Sequence, residues 1–200
     1  SVSFLFEHPP GDPHPTLQVV FPGTGSGGKT ASHSATDVAM LIEHNHIPPS
    51  FIQARNIVEM VKNFAEGKAN IEVKGFSLGG AIAVYAGLSN EISTTTLSPL
   101  ALSPGVWKSL IDEKQEKFSE LVEEILTNLT VEGDLATGHT SINSLARKAE
   151  RTLSLKMPHI LGKTYVVRRE NFPENIGKSV LGYGEHNSAA KLWSNLYEQK

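Results

Sequence analysis

Hydrophobic and polar positions along this chain fall into two alternating rhythms. Short apolar blocks bounded by Gly, Pro or Asn read as strands: Val2 to Phe6, "TLQVVF" (16–21), "NIEVKG" (70–75), "TTTLSPLALSPG" (94–105, mainly strand), "LTVEGD" (129–134) and "KTYVVRR" (163–169). Helical patterns lie between them. In "ATDVAMLIEHN" (35–45), Val38, Leu41 and Ile42 share one side, and "IPPS" stops the run. In "FIQARNIVEMVKNFAEG" (51–67), Ile52, Ile57, Met60, Val61 and Phe64 recur mainly at spacings of three and four, which predicts an amphipathic helix closed by Gly67. "LGGAIAVYAGL" (78–88) reads as a small-residue helix, 109–128 as a long acidic-faced helix, and 142–153 and 187–199 as further helices. "EHPPGDPHP" (7–15) is turn-rich. Strands alternating with helices predict an α/β layer structure: a mainly parallel sheet with helices on both faces. No repeat, low-complexity tract or linker interrupts the pattern, so residues 1–200 read as a single domain.

Composition adds exclusions. Two hundred residues suffice for one domain with a substantial core, and 39% hydrophobic with 20% charged is ordinary globular usage. A formal net charge of −3 argues against a nucleic-acid-coating surface, so no nucleic-acid partner is expected. The chain has no cysteine, hence neither disulfides nor thiolate metal sites, and its compartment stays open. No apolar run approaches the ~20 residues of a membrane span, and no signal peptide is visible at Ser1. The chain therefore reads as soluble. Beginning with serine, it is compatible with a cut domain or a processed product.

Two glycine-rich turns carry candidate chemistry. Gly75-Phe76-Ser77-Leu78-Gly79 matches G-x-S-x-G, with a predicted strand before it and a predicted helix after it. A serine on so sharp a turn projects its hydroxyl above the end of the sheet. Glycines at 75 and 79 remove clashes with the neighbouring strand and helix, and Gly80, Ala81 and Ala83 let the helix pack closely. The helix N-terminus directs N–H groups, starting with Leu78, toward developing negative charge. The bare five-residue pattern also fits a structural turn; the longer string "IEVKGFSLGGAIAVYA" carries more information.

A serine hydroxyl needs a histidine base, and the base needs an orienting carboxylate; after a nucleophile elbow the chain order is serine, acid, histidine. Six of the fourteen acids after Ser77 lie at 112–124, where a solvated charged face explains them. Asp134 ends a predicted strand after Gly133 and is the preferred triad acid, over Asp112 and Glu132. Three histidines follow. His139 is close enough to decorate the same loop, and His159 sits in the apolar "LKMPHILGK". His186 lies in "GYGEHNSAAKLW", between the last predicted strand and the last helix, and is the preferred base over His159.

The other turn, "VVFPGTGSGGKTASHS" (19–34), fits the phosphate-loop pattern G-x-x-x-x-G-K-[ST] at Gly23, Gly28, Lys29 and Thr30. Phosphate transfer would also need a metal-holding acid at the end of a strongly apolar strand, and "LTVEGD" is poorly apolar. The alternatives to a hydrolase are thus a nucleotide-binding protein using GTGSGGKT and a catalytically inactive hydrolase-like binding module.

The motifs together resemble the class 3 lipases of the α/β-hydrolase superfamily. "VVFPGTGS" looks like that family's oxyanion strand, "VKGFSLGGAIAVYAG" like its nucleophile elbow, and "ALSPGV" like the Ser/Gly-Pro turn after the next strand; "VEGD" and "GEHNSAAKLW" resemble its acid and histidine segments. The chain departs from the family at Phe76, where histidine is usual, and at Pro22, where arginine is usual. The resemblance implies an α/β-hydrolase-like fold and a different use for the first glycine-rich loop. It would supply an oxyanion-hole donor, Thr24, to join the Leu78 N–H, leaving Lys29 an exposed loop residue. It further implies a serine esterase acting on lipid or other carboxylic esters, lipase- or phospholipase-like, with no metal or organic cofactor. A thioester substrate, or transfer to an alcohol, would use the same residues. Segments 106–127 and 139–162 are long enough to cover the site. Residues 145–161 mix Arg147, Lys148, Arg151 and Lys156 with Leu145, Leu153, Leu155 and Met157; such a segment can touch an anionic membrane surface, and a solvated helix over the core explains the same pattern.

Overall fold

The computed structural model describes residues 2–8, 10–23, 47–131 and 161–167. Among the described residues, six strands form one sheet in chain order: β1 (Ser3–Glu7), β2 (Thr16–Phe21), β3 (Asn70–Phe76), β4 (Thr94–Leu97), β5 (Leu126–Val131) and β6 (Lys163–Val167). Only β1 is antiparallel to its neighbour; β2 to β6 are all parallel. The proline-rich turn between β1 and β2 permits the antiparallel pairing. Gly11 takes φ 86°, and the Asp12 carboxylate accepts the His14 N–H at 2.9 Å.

Parallel neighbours need crossovers, and helices supply them: α1 (Pro49–Ala65) before β3, α2 (Leu78–Asn90) before β4, then α3 (Pro104–Lys114) and α4 (Phe118–Ile125) before β5. The described helices form one layer. α2 packs on β2, β3 and β4 and also touches α1, α3 and α4, which helices on opposite faces of a sheet could not do. The other predicted helices, at 35–45, 142–153 and 187–199, lie outside the described residues. Two apolar clusters fill the interface. Val19, Phe21 and Val73 of the sheet meet Ala54, Val58, Ala83 and Ala86. Phe51, Tyr85, Leu88, Trp107, Leu110, Phe118 and Leu126 form the second cluster. Its rings meet at 5.6 Å (Phe51–Tyr85) and 6.2 Å (Trp107–Phe118). No described helix is long and apolar enough to cross a membrane.

At β4 and β5 the sheet carries a buried polar pair. Thr96 Oγ1 donates to Asn128 Oδ1 at 2.6 Å, and Asn128 Nδ2 donates to the Leu161 carbonyl at 2.8 Å, tying β4 and β5 to the approach to β6. These groups are buried, so each hydrogen bond spares a desolvation cost of about 1–3 kcal/mol.

Three elements differ from the sequence expectation. The strand predicted over 94–105 ends at Leu97, because Ser103 caps α3 through its hydroxyl (Val106 N–H, 3.4 Å) and Pro104 occupies the first turn. The long helix predicted over 109–128 breaks at Gln115, which takes φ 52°, and strand begins at Leu126 instead of 129. No Gly or Pro signals that break. Lys114 marks it: its ammonium reaches the Ser89 carbonyl (2.7 Å) and Glu91 (3.1 Å) at the C-terminal end of α2, where a helix favours positive charge. In α1 the buried face is Phe51, Ala54, Val58 and Ala65, while Ile52, Met60 and Phe64 face solvent, Phe64 at 74% exposure. The buried face is the one that packs on α2, where Phe51 meets Tyr85 and Ala54 and Val58 join Ala83 and Ala86.

Candidate active site

β3 delivers the chain to the C-terminal edge of the sheet, and α2 starts one residue after Ser77. Ser77 bridges them at φ 57°, ψ −125°, a conformation L-residues rarely adopt, and is 6% exposed. Its backbone is held from the next strand. The Ser77 N–H donates to the Leu97 carbonyl at 3.2 Å, and its carbonyl accepts the N–H groups of Leu100 (2.9 Å) and Ala81 (3.2 Å). Strain of this kind persists only where its surroundings over-determine it.

The glycines around the serine are steric requirements. A Cβ at Gly75 would fall against the Gly79 carbonyl and lie 2.8 Å from Ala83 Cβ; one at Gly79 would overlap the carbonyl oxygens of Phe21 and Pro22. One at Gly80 would lie 2.8 Å from Pro99 Cα. α2 therefore enters at backbone distance from both β2 and the turn after β4. Leu78, buried, provides the first amide of α2, one of those a helix leaves without an internal acceptor.

The first glycine-rich loop starts at this edge. β2 runs beside β3 with Phe21 opposite Gly75. A Cβ on Gly23 would lie 2.7 Å from Phe76 Cδ1 and 3.0 Å from Ser77 Cβ. The chain at 22–23 thus passes directly against the serine.

Of the predicted site residues, Ser77 and Leu78 stand together at the β3–α2 turn. Thr24, Asp134 and His186 lie outside the described residues, as do Lys29, Thr30, Glu132, His139 and His159. Asp112 sits on the exposed side of α3 in an ion pair with Lys108 one turn away, the solvated role expected of it. Sequence reasoning missed the Ser98-Pro99-Leu100 turn. It assigned the post-strand Ser-Pro turn to "ALSPGV", whereas Ser98-Pro99 directly follows β4 and Ser103-Pro104 opens α3. The signal was present, since "LSP" occurs twice in 97–104 and the first copy ends the apolar run. A cavity lined by Lys62, Glu66, Asn70, Glu91 and Ser93 lies at the opposite edge, where β3 and β4 begin, and takes no part in this site.

No protein-family model and no curated protein matches this chain. Among solved structures, it is similar to an uncharacterised Bacillus cereus protein (12% identity, TM-score 0.37), covering 90% of this chain and 59% of that one. It is also similar to Est1E from Butyrivibrio proteoclasticus, solved with ferulic acid (14%, TM-score 0.40, 98% of this chain and 95% of that one). A third is an esterase from Pyrobaculum calidifontis (14%, TM-score 0.39, 98% and 83%). At TM-scores of this size the likenesses add nothing to what the elbow's own geometry supports.

Proposed function

We propose that this chain is a serine hydrolase of the α/β-hydrolase type that cleaves carboxylic esters through an acyl-enzyme on Ser77. One observation carries the reading: Ser77 occupies a strained, doubly anchored turn between a parallel strand and a helix N-terminus, with glycines where side chains would collide. Such strain has a use where a nucleophile must stand clear of the sheet.

His186, oriented by Asp134, takes the Ser77 proton as Oγ attacks the ester carbonyl. The oxyanion is held by the N–H groups of Leu78 and Thr24. His186 then protonates the leaving alcohol, and water repeats the sequence on the acyl-enzyme. The close approach of Gly23 to Ser77, with no room for a side chain between them, supports oxyanion duty for the loop at 22–24 over phosphate binding. Lipid esters are the substrate class, with residues 145–161 touching the membrane surface that presents them.

A fluorophosphonate probe tests the reading without a guess at the substrate. The folded protein should be labelled at Ser77. Ser77→Ala should lose labelling and hydrolysis of short p-nitrophenyl esters, and Asp134→Asn and His186→Ala should lose at least about a hundredfold in rate. A folded wild type that resists the probe, or micromolar Mg-ATP binding that disappears in Lys29→Ala, would overturn it.

A further inference from the structure

Phe76 ends β3 one residue before the strained serine, and the proposed mechanism leaves it without a role. Successive residues of a strand point to opposite faces of the sheet. Gly75 lies toward α2, where a Cβ would meet Gly79 and Ala83, so the Phe76 side chain leaves the strand on the other face, half-buried. Its ring fills the space that a side chain on Gly23 would need: a Cβ there would lie 2.7 Å from Phe76 Cδ1 and 3.0 Å from Cε1. Gly23 is outside the left-handed region, so its backbone conformation does not call for glycine. The crowding by Phe76 and Ser77 does.

Residues 21–23 are thereby confined from two sides. Toward α2, the approach of Gly79 leaves no room for a methyl before the carbonyl oxygens of Phe21 and Pro22. On the other side stands the Phe76 ring. Phe21 still lies in register with Gly75, so the chain leaves the β2–β3 ladder only two residues before Gly23. A group that stabilises a transition state must be held to within about 0.5 Å by the packing around it. Glycine has the greatest backbone freedom of any residue, and Gly23 has no side chain of its own to anchor it. Its anchor has to come from a neighbour.

We infer, on the basis of the proposed hydrolase reading, that Phe76 is a positioning residue: its ring holds Gly23 close to Ser77 and so sets the point from which the first glycine-rich loop approaches the nucleophile. Phe76 acts through Gly23, not on the substrate. Its loss therefore weakens stabilisation of the transition state more than binding of the ester, and shows in kcat with little change in KM.

Two measurements on the full chain test this. In fluorophosphonate labelling and p-nitrophenyl butyrate hydrolysis, Phe76→Ala should lose about ten- to a hundredfold in labelling rate and kcat, with KM within about twofold of wild type. Phe76→Leu, which keeps a carbon at the Cδ position, should recover most of that loss. Urea unfolding reads the geometry without activity: Gly23→Ala should cost less stability in a Phe76→Ala background than in wild type, because the methyl enters space the ring has left. Phe76→Val replaces Phe76→Ala if that variant fails to fold. Phe76→Ala labelled as fast as a labelled wild type, a loss confined to KM, or additive costs in the unfolding cycle overturns the inference and leaves the hydrolase reading intact. A folded wild type that resists the probe overturns the hydrolase reading, and the inference falls with it whatever the unfolding cycle shows.

Discussion

Replacing Ser77 in two ways separates its backbone from its hydroxyl. Ser77→Ala and Ser77→Gly both delete Oγ, and both should be silent toward a fluorophosphonate. They differ in what the backbone costs. At φ 57°, ψ −125° an L-residue carries strain of about 1–3 kcal/mol, which alanine retains and glycine does not. Glycine's greater freedom in the unfolded chain takes back about 0.5–1 kcal/mol. Ser77→Gly should therefore be more stable than Ser77→Ala by about 0.5–2 kcal/mol. Urea unfolding followed through tryptophan fluorescence measures the difference, because Trp107 is buried against Phe118 in the cluster that α2 completes. The midpoints should separate while the slopes stay equal. If Ser77→Gly proves no more stable than Ser77→Ala, the turn is not strained and the elbow loses its main physical support.

Gly79→Ala would drive a methyl into the carbonyl oxygens of Phe21 and Pro22, backbone atoms that cannot step aside, so it should cost at least about 1–3 kcal/mol in urea unfolding and slow probe labelling; wild-type stability would contradict the close helix–strand approach. Glu91 gives a pH-dependent term: a hydrogen bond and charge attraction from Lys114 hold its carboxyl below the usual carboxylate range. A lowered folded pKa means stability that is present above the unfolded pKa and is lost as pH falls through the folded one. Because the side chain is 53% exposed, solvent screens the pair to about 0–1 kcal/mol. Glu91→Gln should thus be slightly less stable than wild type at neutral pH and equal to it in strong acid, and a gap that widens on acidification would reverse the sign of the argument.

Much of this protein could be read locally. "TLQVVF" is a strand because its neighbours are turn formers and its side chains suit a buried ladder, and the structure starts and ends it at the predicted residues. Ser77 was legible because the sterics of its turn are written within a few residues: glycines at 75 and 79 have no other economical explanation. Leu78 follows from the same turn, as the first amide of the helix. Other features arise between segments far apart in the chain. Nothing near Gln115 announces a break; beside it, Lys114 reaches the end of a helix that finished at residue 90. Phe64 outranks Ala54 in hydrophobicity, yet Ala54 is buried in the cluster with Val58, Ala83 and Ala86 while Phe64 is exposed, because packing against α2 sets which face of α1 turns inward. The grip on Ser77 by Leu97 and Leu100, and the close approach of Gly23 to Ser77, exist only once three parallel strands end at the same edge. The sequence by itself determined which residue could bear the strain of that turn, since backbone sterics act over a few bonds. Tertiary structure decided what holds that turn in place, since burial and hydrogen bonding depend on whichever distant groups packing brings within reach.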